Sequence, residues 1–383
     1  MNANHPPVSM GPGSRPTRPF PADEYVARIE RLRTRLNERK LDVAVVASPV
    51  HRVYFTGFQS SQGLLLVFAD GRAQLFTDFR YLEAAQSALQ FLHVRAWPRK
   101  LSAVFTRLRG IRRAGYEGAV VSVRTWQQWR HEWPNLRTWV DLSEDLAALR
   151  AVKSPRELAA IRSAVAAADE AFRRLTAELA PGMTEWEIRV RLRHHLDVLS
   201  QGESFAVIIA AGPNASRCHH SPTLRRWRAE EPLLIDMGAL VDGYHSDLTR
   251  VVFARVPSRR WRTIYAAVLE AQEAAIGAIR AGVPCVEVDR AARRVLQRYG
   301  WKKEFGHGTG HGVGLEIHES PSLAPRRPRT DRLAADMVVT VEPGVYIPGL
   351  GGVRIEDIVR VTERGPEVWT AAPKGLEHAV LGS

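Results

Sequence analysis

Two segments of this chain each carry a pair of acids that a hairpin would bring together. Such pairs persist in a folded interior only if a cation lies among them. The first segment, 230–253, reads EEPLLIDMGALVDGYHSDLTRVVF. Its apolar runs 233–235 and 248–253 flank Asp242-Gly243, a turn dipeptide. A reversal near 241–243 sets Asp236 and Asp247 directly opposite each other or one diagonal step apart. Either register puts both on one face, because strand side chains alternate. In the second segment, 337–363, Val338 to Val341 lead into Glu342, and 353–361 returns with Glu356. The reversal is expected within Pro348-Gly349-Leu350-Gly351-Gly352. Arg354, two residues before Glu356, shares its face and is the expected charge partner of Glu356 or its neighbour.

Between the hairpins lies GHGTGHGVGLEIHE, 306–319, in which His307, His311 and His318 are interleaved with five glycines. That density argues against a helix and for backbone passing close to something bulky or charged. The spacing is not the helical HExxH of zinc peptidases. Four carboxylates and one neutral imidazole (Asp236, Asp247, Glu342, Glu356 and His311) make an oxygen-rich set suited to hard or borderline divalent ions. Two such ions roughly 3.5–4 Å apart are a means of hydrolysing an amide. A further histidine, His219, stands seventeen positions before Asp236 in GPNASRCHHSPT. These features read as an enzyme.

With those motifs stand LRAVKSPRELAAIRSA (149–164), ESFAVIIAAGPNASRCHHSPT (203–223), IDMGALVDGYHSDLTR (235–250) and TVEPGVYIPGLGGVRIEDIV (340–359). Together they resemble the pita-bread metallopeptidases, the family of methionine aminopeptidase, aminopeptidase P and prolidase, and within it the Xaa-Pro branch. RVYFTGF (52–58) and LFTDFRYLEAA (75–85) resemble the amino domain of bacterial Xaa-Pro peptidases. The resemblance implies an α/β amino domain plus an α+β pita-bread catalytic domain with pseudo-symmetric halves. It implies two divalent metal ions on Asp236, Asp247, His311, Glu342 and Glu356, manganese first, with cobalt or zinc as alternatives. Asp247 and Glu356 would bridge them. His219, His307 and His318 would touch substrate. Glu342 would shuttle a proton, His318 would stabilise the oxyanion, His219 would lie near the leaving prolyl nitrogen, and Arg354 would support the metal shell.

The implied reaction is cleavage of the bond before proline in dipeptides or short peptides. A homodimer is implied too, with the 48–58 loop and Asp78-Phe79-Arg80 closing the cleft. The chain departs from the usual pattern at Ala206, where Asp is common, Cys218, where Pro is common, and Asp336, where Gly is usual. His245 adds an imidazole on the face of Asp247. Two other readings compete. A metal-free relative serving as a binding module is weakened by the survival of all five ligands, and a methionine aminopeptidase-like exopeptidase by the additional amino domain.

Length and composition set the remaining expectations. At 383 residues the chain is long enough for two domains: a mobile tail over 1–22, an amino domain over 23–148 and a catalytic domain over 149–383. The boundary lies where Ser154-Pro155 opens a helix. The amino domain reads as a helix at 22–39, strands at 42–47, 64–68 and 73–76, and a helix at 81–89, giving a mixed sheet. No apolar run approaches a membrane span. Two cysteines, Cys218 and Cys285, point to a reducing cytoplasm, with Cys218 an inert thiol. The net charge of +13 raises nucleic-acid binding. Zinc-finger spacing, RNP motifs and basic zippers are all missing, so solvated arginine faces are the better reading. The 325–332 loop, with Arg326, Arg327 and Arg329, is expected at the rim of the site.

Overall fold

The computed structural model describes residues 19–98, 102–105 and 110–381. Residues 1–18 of the expected tail lie outside the described residues; Phe20, near its end, is buried and stacks on Tyr25 at 6.3 Å. The chain divides between Leu146 and Ala147 into two compact units. No helix among the described residues is long and apolar enough to cross a membrane.

The first unit holds strands β1 (Val43–Val46), β2 (Leu64–Phe68), β3 (Ala73–Thr77), β4 (His93–Ala96), β5 (Arg113–Tyr116) and β6 (Thr138–Asp141) in one sheet. Their order is β4-β3-β2-β1-β5-β6. β1 runs antiparallel to β2 and parallel to β5, so the sheet is mixed as expected. VAVV and LLLVF are buried at every position, which is why these strands read as unbroken apolar runs rather than alternating ones. The helix Ala22–Glu38 buries Ile29, Leu32 and Leu36 from one stripe. One expectation is corrected here. The 48–58 segment, read as a loop, contains the helix Pro49–Thr56. Ser48 Oγ accepts from the His51 amide, Pro49 stands at the first helical position, and Gly57 ends it at φ 70°. Tyr54 and Phe55 are fully buried in this unit, whereas Phe79 is 87% exposed.

The second unit consists of two halves built alike. In the first, Ser154 and Glu157 form a capping box for the helix Pro155–Glu178, and Thr184 and Glu187 form another for Glu185–Leu199. Thr184 is thus the cap of the second helix. Strands β7 (Ile208–Ala211), β8 (Leu233–Met237), β9 (Leu240–Val241), β10 (Tyr244–His245) and β11 (Leu248–Val252) follow, with β8 central between β11 and β7. In the second half, helices Arg259–Gly277 and Cys285–Arg298 precede β12 (Gly310–Gly312), β13 (Glu319–Leu323), β14 (Val338–Val341), β15 (Gly344–Ile347), β16 (Gly351–Arg354), β17 (Asp357–Val361) and β18 (Pro366–Val368). Their main sheet runs β13-β12-β14-β17-β18. A helix pair followed by a hairpin bearing two acids occurs once in each half. This repetition is the pseudo-symmetry of a pita-bread fold. The apolar faces of the second helix pair pack with β14, β16 and β17 residues in one buried cluster.

Three arginines of the 325–332 loop bind the protein's own acids and backbone. Arg327 pairs with Asp331 at 2.5 Å, Arg329 with Glu287 at 3.0 Å, and Arg332 donates to the Gly282 carbonyl. Asp336 adopts φ 67°, a conformation that glycine reaches without a steric penalty, which is the physical content of that departure.

Candidate metal centre

The two acid pairs are built by different registers. In the first hairpin Thr249 faces Asp236 and Tyr244 faces Val241. One register therefore runs through both ladders and turns on Asp242 (φ 53°) and Gly243 (φ 79°). Two successive positive φ values match the twist of the flanking strands. Asp247 thus lies across from Gly238, one diagonal step from Asp236. Gly238 must be glycine: a Cβ there would lie 2.0 Å from the Ser246 carbonyl oxygen. In the second hairpin Val341 faces Asp357 and Gly344 faces Arg354. The shared register sets Glu342 directly opposite Glu356.

Asp247, His311 and Glu356 each offer a ligand atom within 4.8 Å of one another. His311 Nε2 lies 3.4 Å from Glu342 Oε1 and 3.7 Å from Asp247 Oδ2. Its Nδ1 donates to the Gly312 carbonyl at 3.0 Å, which leaves the Nε2 lone pair directed at the acids. β12 carries His311 through a tight slot. A Cβ on Gly310 or Gly312 would lie 1.9 Å from the Thr340 carbonyl oxygen or 2.2 Å from that of Ser320. The glycine density reflects this close approach of backbones, as the sequence implied.

Arg354, buried among the acids, reaches across to the other hairpin. Its Nη2 donates to Asp236 Oδ2 at 2.5 Å, its Nε to Thr249 Oγ1 at 3.0 Å and its Nη1 to the Tyr346 hydroxyl at 2.9 Å. The expected pairing with Glu356 is therefore corrected. Glu356 Oε2 is already taken by the Thr249 hydroxyl, which donates to it at 2.6 Å. The neighbouring Glu342 comes no nearer than 3.9 Å.

One guanidinium does not neutralise four clustered carboxylates. Asp236 Oδ1 and Glu356 Oε1 are buried without a hydrogen-bond partner, a costly state for any acceptor and more so for a charged one. Burial, then repulsion from Glu356, Asp236 and Glu342, pushes the Asp247 carboxyl well above its ordinary range. Burial and the same kind of repulsion raise Glu356, and burial raises Asp236 in spite of Arg354. Glu342 is pushed from 4.5 to about 8, by burial first, with Asp236 adding and Arg354 opposing. Burial holds His311 down at about 4, so its imidazole is neutral. Orphaned oxygens, repelling acids and one neutral imidazole with its lone pair inward fit divalent cations.

The remaining histidines surround this cluster. The His318 ring lies 4.2 Å from that of His311, on the exposed side, with its pKa lowered by burial and by His219. His307 Nδ1 donates to the Gly308 carbonyl at 2.7 Å, and its Nε2 accepts from the Tyr346 hydroxyl at 2.9 Å. His219 is exposed yet close enough to act electrostatically on Asp236, His307 and His318. His245 does not crowd the acids. Its Nδ1 meets Ser204 Oγ at 2.8 Å, and its amide donates to the Gly314 carbonyl.

Sequence reasoning missed Thr249, Tyr346 and Arg250. Period two would have found the first two, because Thr249 follows Asp247 by two and Tyr346 follows Glu342 by four. Arg250, a lone cation in the buried strand LTRVV, donates to the Ala372 carbonyl at 2.6 Å and to Asp357 Oδ1 at 2.7 Å, and also bonds the Glu356 carbonyl. It thereby anchors the strand that begins beside Glu356.

Residues 159–363 match the metallopeptidase family M24, and residues 28–152 match the creatinase/prolidase N-terminal domain. The Xaa-Pro dipeptidase of Pyrococcus furiosus is 31% identical over 350 residues, covering 91% of this chain and 99% of the relative. Among solved structures, the Xaa-Pro dipeptidase from Bacillus anthracis aligns with a TM-score of 0.86 at 33% identity, covering 92% of this chain and 99% of that one. The X-Pro aminopeptidase from Thermotoga maritima aligns at 0.83 and 30% identity, covering 91% and 98%. The chain belongs to metallopeptidase family M24, in the Xaa-Pro branch of the pita-bread fold, with a creatinase/prolidase-type domain ahead of the catalytic one.

Proposed function

We propose that the protein hydrolyses the Xaa-Pro bond of dipeptides in a metal-dependent reaction. The observation that carries this reading is the survival of all five ligands, four acids and a neutral imidazole, around two orphaned carboxylate oxygens. Relatives named Xaa-Pro dipeptidase support the dipeptide substrate. A metal-free binding module and a methionine aminopeptidase-like enzyme are not favoured. On the same reading, residues 23–148 are the amino domain and 149–383 the catalytic domain, and the active protein is a cytoplasmic homodimer.

Asp236, Asp247, His311, Glu342 and Glu356 would hold two divalent ions, manganese first, with cobalt or zinc as alternatives. Bound there, such ions polarise a carbonyl and supply a nucleophile at neutral pH. The side chains do the rest. Glu342, whose Oε1 lies 3.4 Å from His311 Nε2 within the ligand cluster, is assigned the proton transfer at its Oε atoms. His318, on the exposed side with its ring 4.2 Å from that of His311, donates a hydrogen bond to the developing oxyanion. His219 is assigned to the leaving prolyl nitrogen. His307, its Nε2 held by Tyr346, lines the substrate side. Arg354 keeps Asp236 oriented.

The test is turnover of Xaa-Pro dipeptides beside Xaa-Pro-Xaa tripeptides, using chelator-treated protein reloaded with manganese, cobalt or zinc, with elemental analysis of each sample. Dipeptide cleavage that requires metal, at two ions per chain, is the expected result. Undiminished cleavage by metal-free protein, or no cleavage with any metal, would sink the proposal. Light scattering in the same buffers tests the dimer.

A further inference from the structure

His219 lies on a connection, residues 212–223, whose regular structure is limited to a short 3-10 turn at Gly212–Ser216. An exposed imidazole on such a loop is placed only as well as the loop itself is held. The anchor is Glu185, the first residue of the helix Glu185–Leu199, whose side chain is completely buried. Its Oε1 accepts from the Ala211 amide at 2.8 Å and from Asn214 Nδ2 at 2.9 Å, where the loop begins. Its Oε2 accepts from His220 Nε2 at 2.9 Å, the Thr223 amide at 2.8 Å and the Thr223 hydroxyl at 2.6 Å, where the loop ends. Five donors from both ends of one loop therefore converge on a single carboxylate. Burial would raise its pKa, but these hydrogen bonds outweigh burial and hold it below the ordinary value. On its other side the loop rests on β16. A Cβ on Gly351 would lie 2.7 Å from the Gly212 carbonyl oxygen, and one on Gly352 2.3 Å from that of Ala215.

We propose that Glu185, together with His220, is a positioning element of the active site: it latches the 211–223 loop at both ends and so fixes His219 over the ligand cluster. Glu185 touches none of the five ligands and acts through the loop alone. The inference rests on the assignment of His219 to the substrate.

The experiment uses the full-length, metal-loaded protein with E185Q, H219A and the double variant. Glutamine keeps the shape but removes the charge and turns one acceptor into a donor that faces other donors. E185Q should retain full metal content and raise amide hydrogen exchange within 211–223 by about 10- to 100-fold, the scale of lost hydrogen bonds to a charged group. It should lower kcat/KM on an Xaa-Pro dipeptide about tenfold, and the double variant should match H219A within about twofold. Multiplying losses in the double variant, unchanged exchange in E185Q, or a silent H219A would each overturn the inference. Should E185Q fail to fold, His220→Ala removes a single donor and carries the same cycle with a smaller exchange effect. If the unaltered protein cleaves no Xaa-Pro peptide, the proposed function fails, and the exchange measurement alone decides the latch.

Discussion

Replacing Glu342 by glutamine is expected to stabilise the metal-free protein at pH 8 while abolishing hydrolysis. Glu342 faces Glu356 across the second hairpin and is 17% exposed. Its pKa is raised from 4.5 to about 8 by burial, with Asp236 adding and Arg354 opposing. In the unfolded chain this carboxyl ionises near the ordinary value; in the folded, metal-free protein it keeps its proton until about pH 8. A raised pKa means that its contribution to stability is complete below the unfolded value and is lost as pH rises through the folded one. The loss runs at about 1.4 kcal/mol per pH unit, so about 3 kcal/mol has gone by pH 7 and about 5 by pH 8. Glutamine keeps the shape without the ionisation, so the variant escapes this loss. With metal bound the sign reverses, because the cations stabilise the ionised form and the variant lacks a ligand. Urea unfolding of chelator-treated wild type and Glu342→Gln from pH 5 to 8, repeated with manganese, measures both effects. The two curves should nearly coincide at pH 5 and separate by several kcal/mol at pH 8, with wild type regaining the advantage when metal is added. A metal-free variant no more stable than wild type at pH 8 would refute the reasoning.

Other consequences are open to direct test. Asp247→Asn or Glu356→Ala should lose metal and activity together, with activity falling by several orders of magnitude; a loss below about tenfold would exclude a metal-activated nucleophile at this site. His318→Ala should purify with full metal content and show kcat lower by roughly 10²–10³, the effect of losing one oxyanion donor, whereas a metal-free preparation would make His318 a ligand. Thr249→Val removes the hydroxyl that accepts from Arg354 and donates to Glu356. It should cost the metal-free protein about 2–4 kcal/mol in thermal unfolding, because the buried Arg354 guanidinium and Glu356 carboxyl each lose a partner. A change under about 1 kcal/mol would show that the hydroxyl is dispensable.

Much of the site was legible along the chain because its acids lie on hairpins. Alternation with period two, plus the turn residues Asp242-Gly243 and the glycine-rich reversal around Gly349, decides which side chains share a face without reference to the rest of the molecule. Asp236, Asp247, Glu342 and Glu356 are legible in this way, and the glycines around His311 mark the backbone slot that Thr340 and Ser320 form. The helix Pro49–Thr56 is equally local, with Ser48, Pro49 and Gly57 as its signals, but eight residues are too few for a helical period to show. Register was decided only in the folded chain: the acids of the first pair stand diagonally and those of the second face each other, an offset that each turn's backbone angles set and residue types leave open. So were the partners. Arg354 meets Asp236 from 118 residues away, and Thr249 meets Glu356 from 107 away. Glu185 gathers donors 26 to 38 residues distant. Chain spacing fixes faces because side-chain direction repeats over a few bonds; which faces meet depends on how helices and sheets pack, and that choice is made by the buried surface of the whole domain.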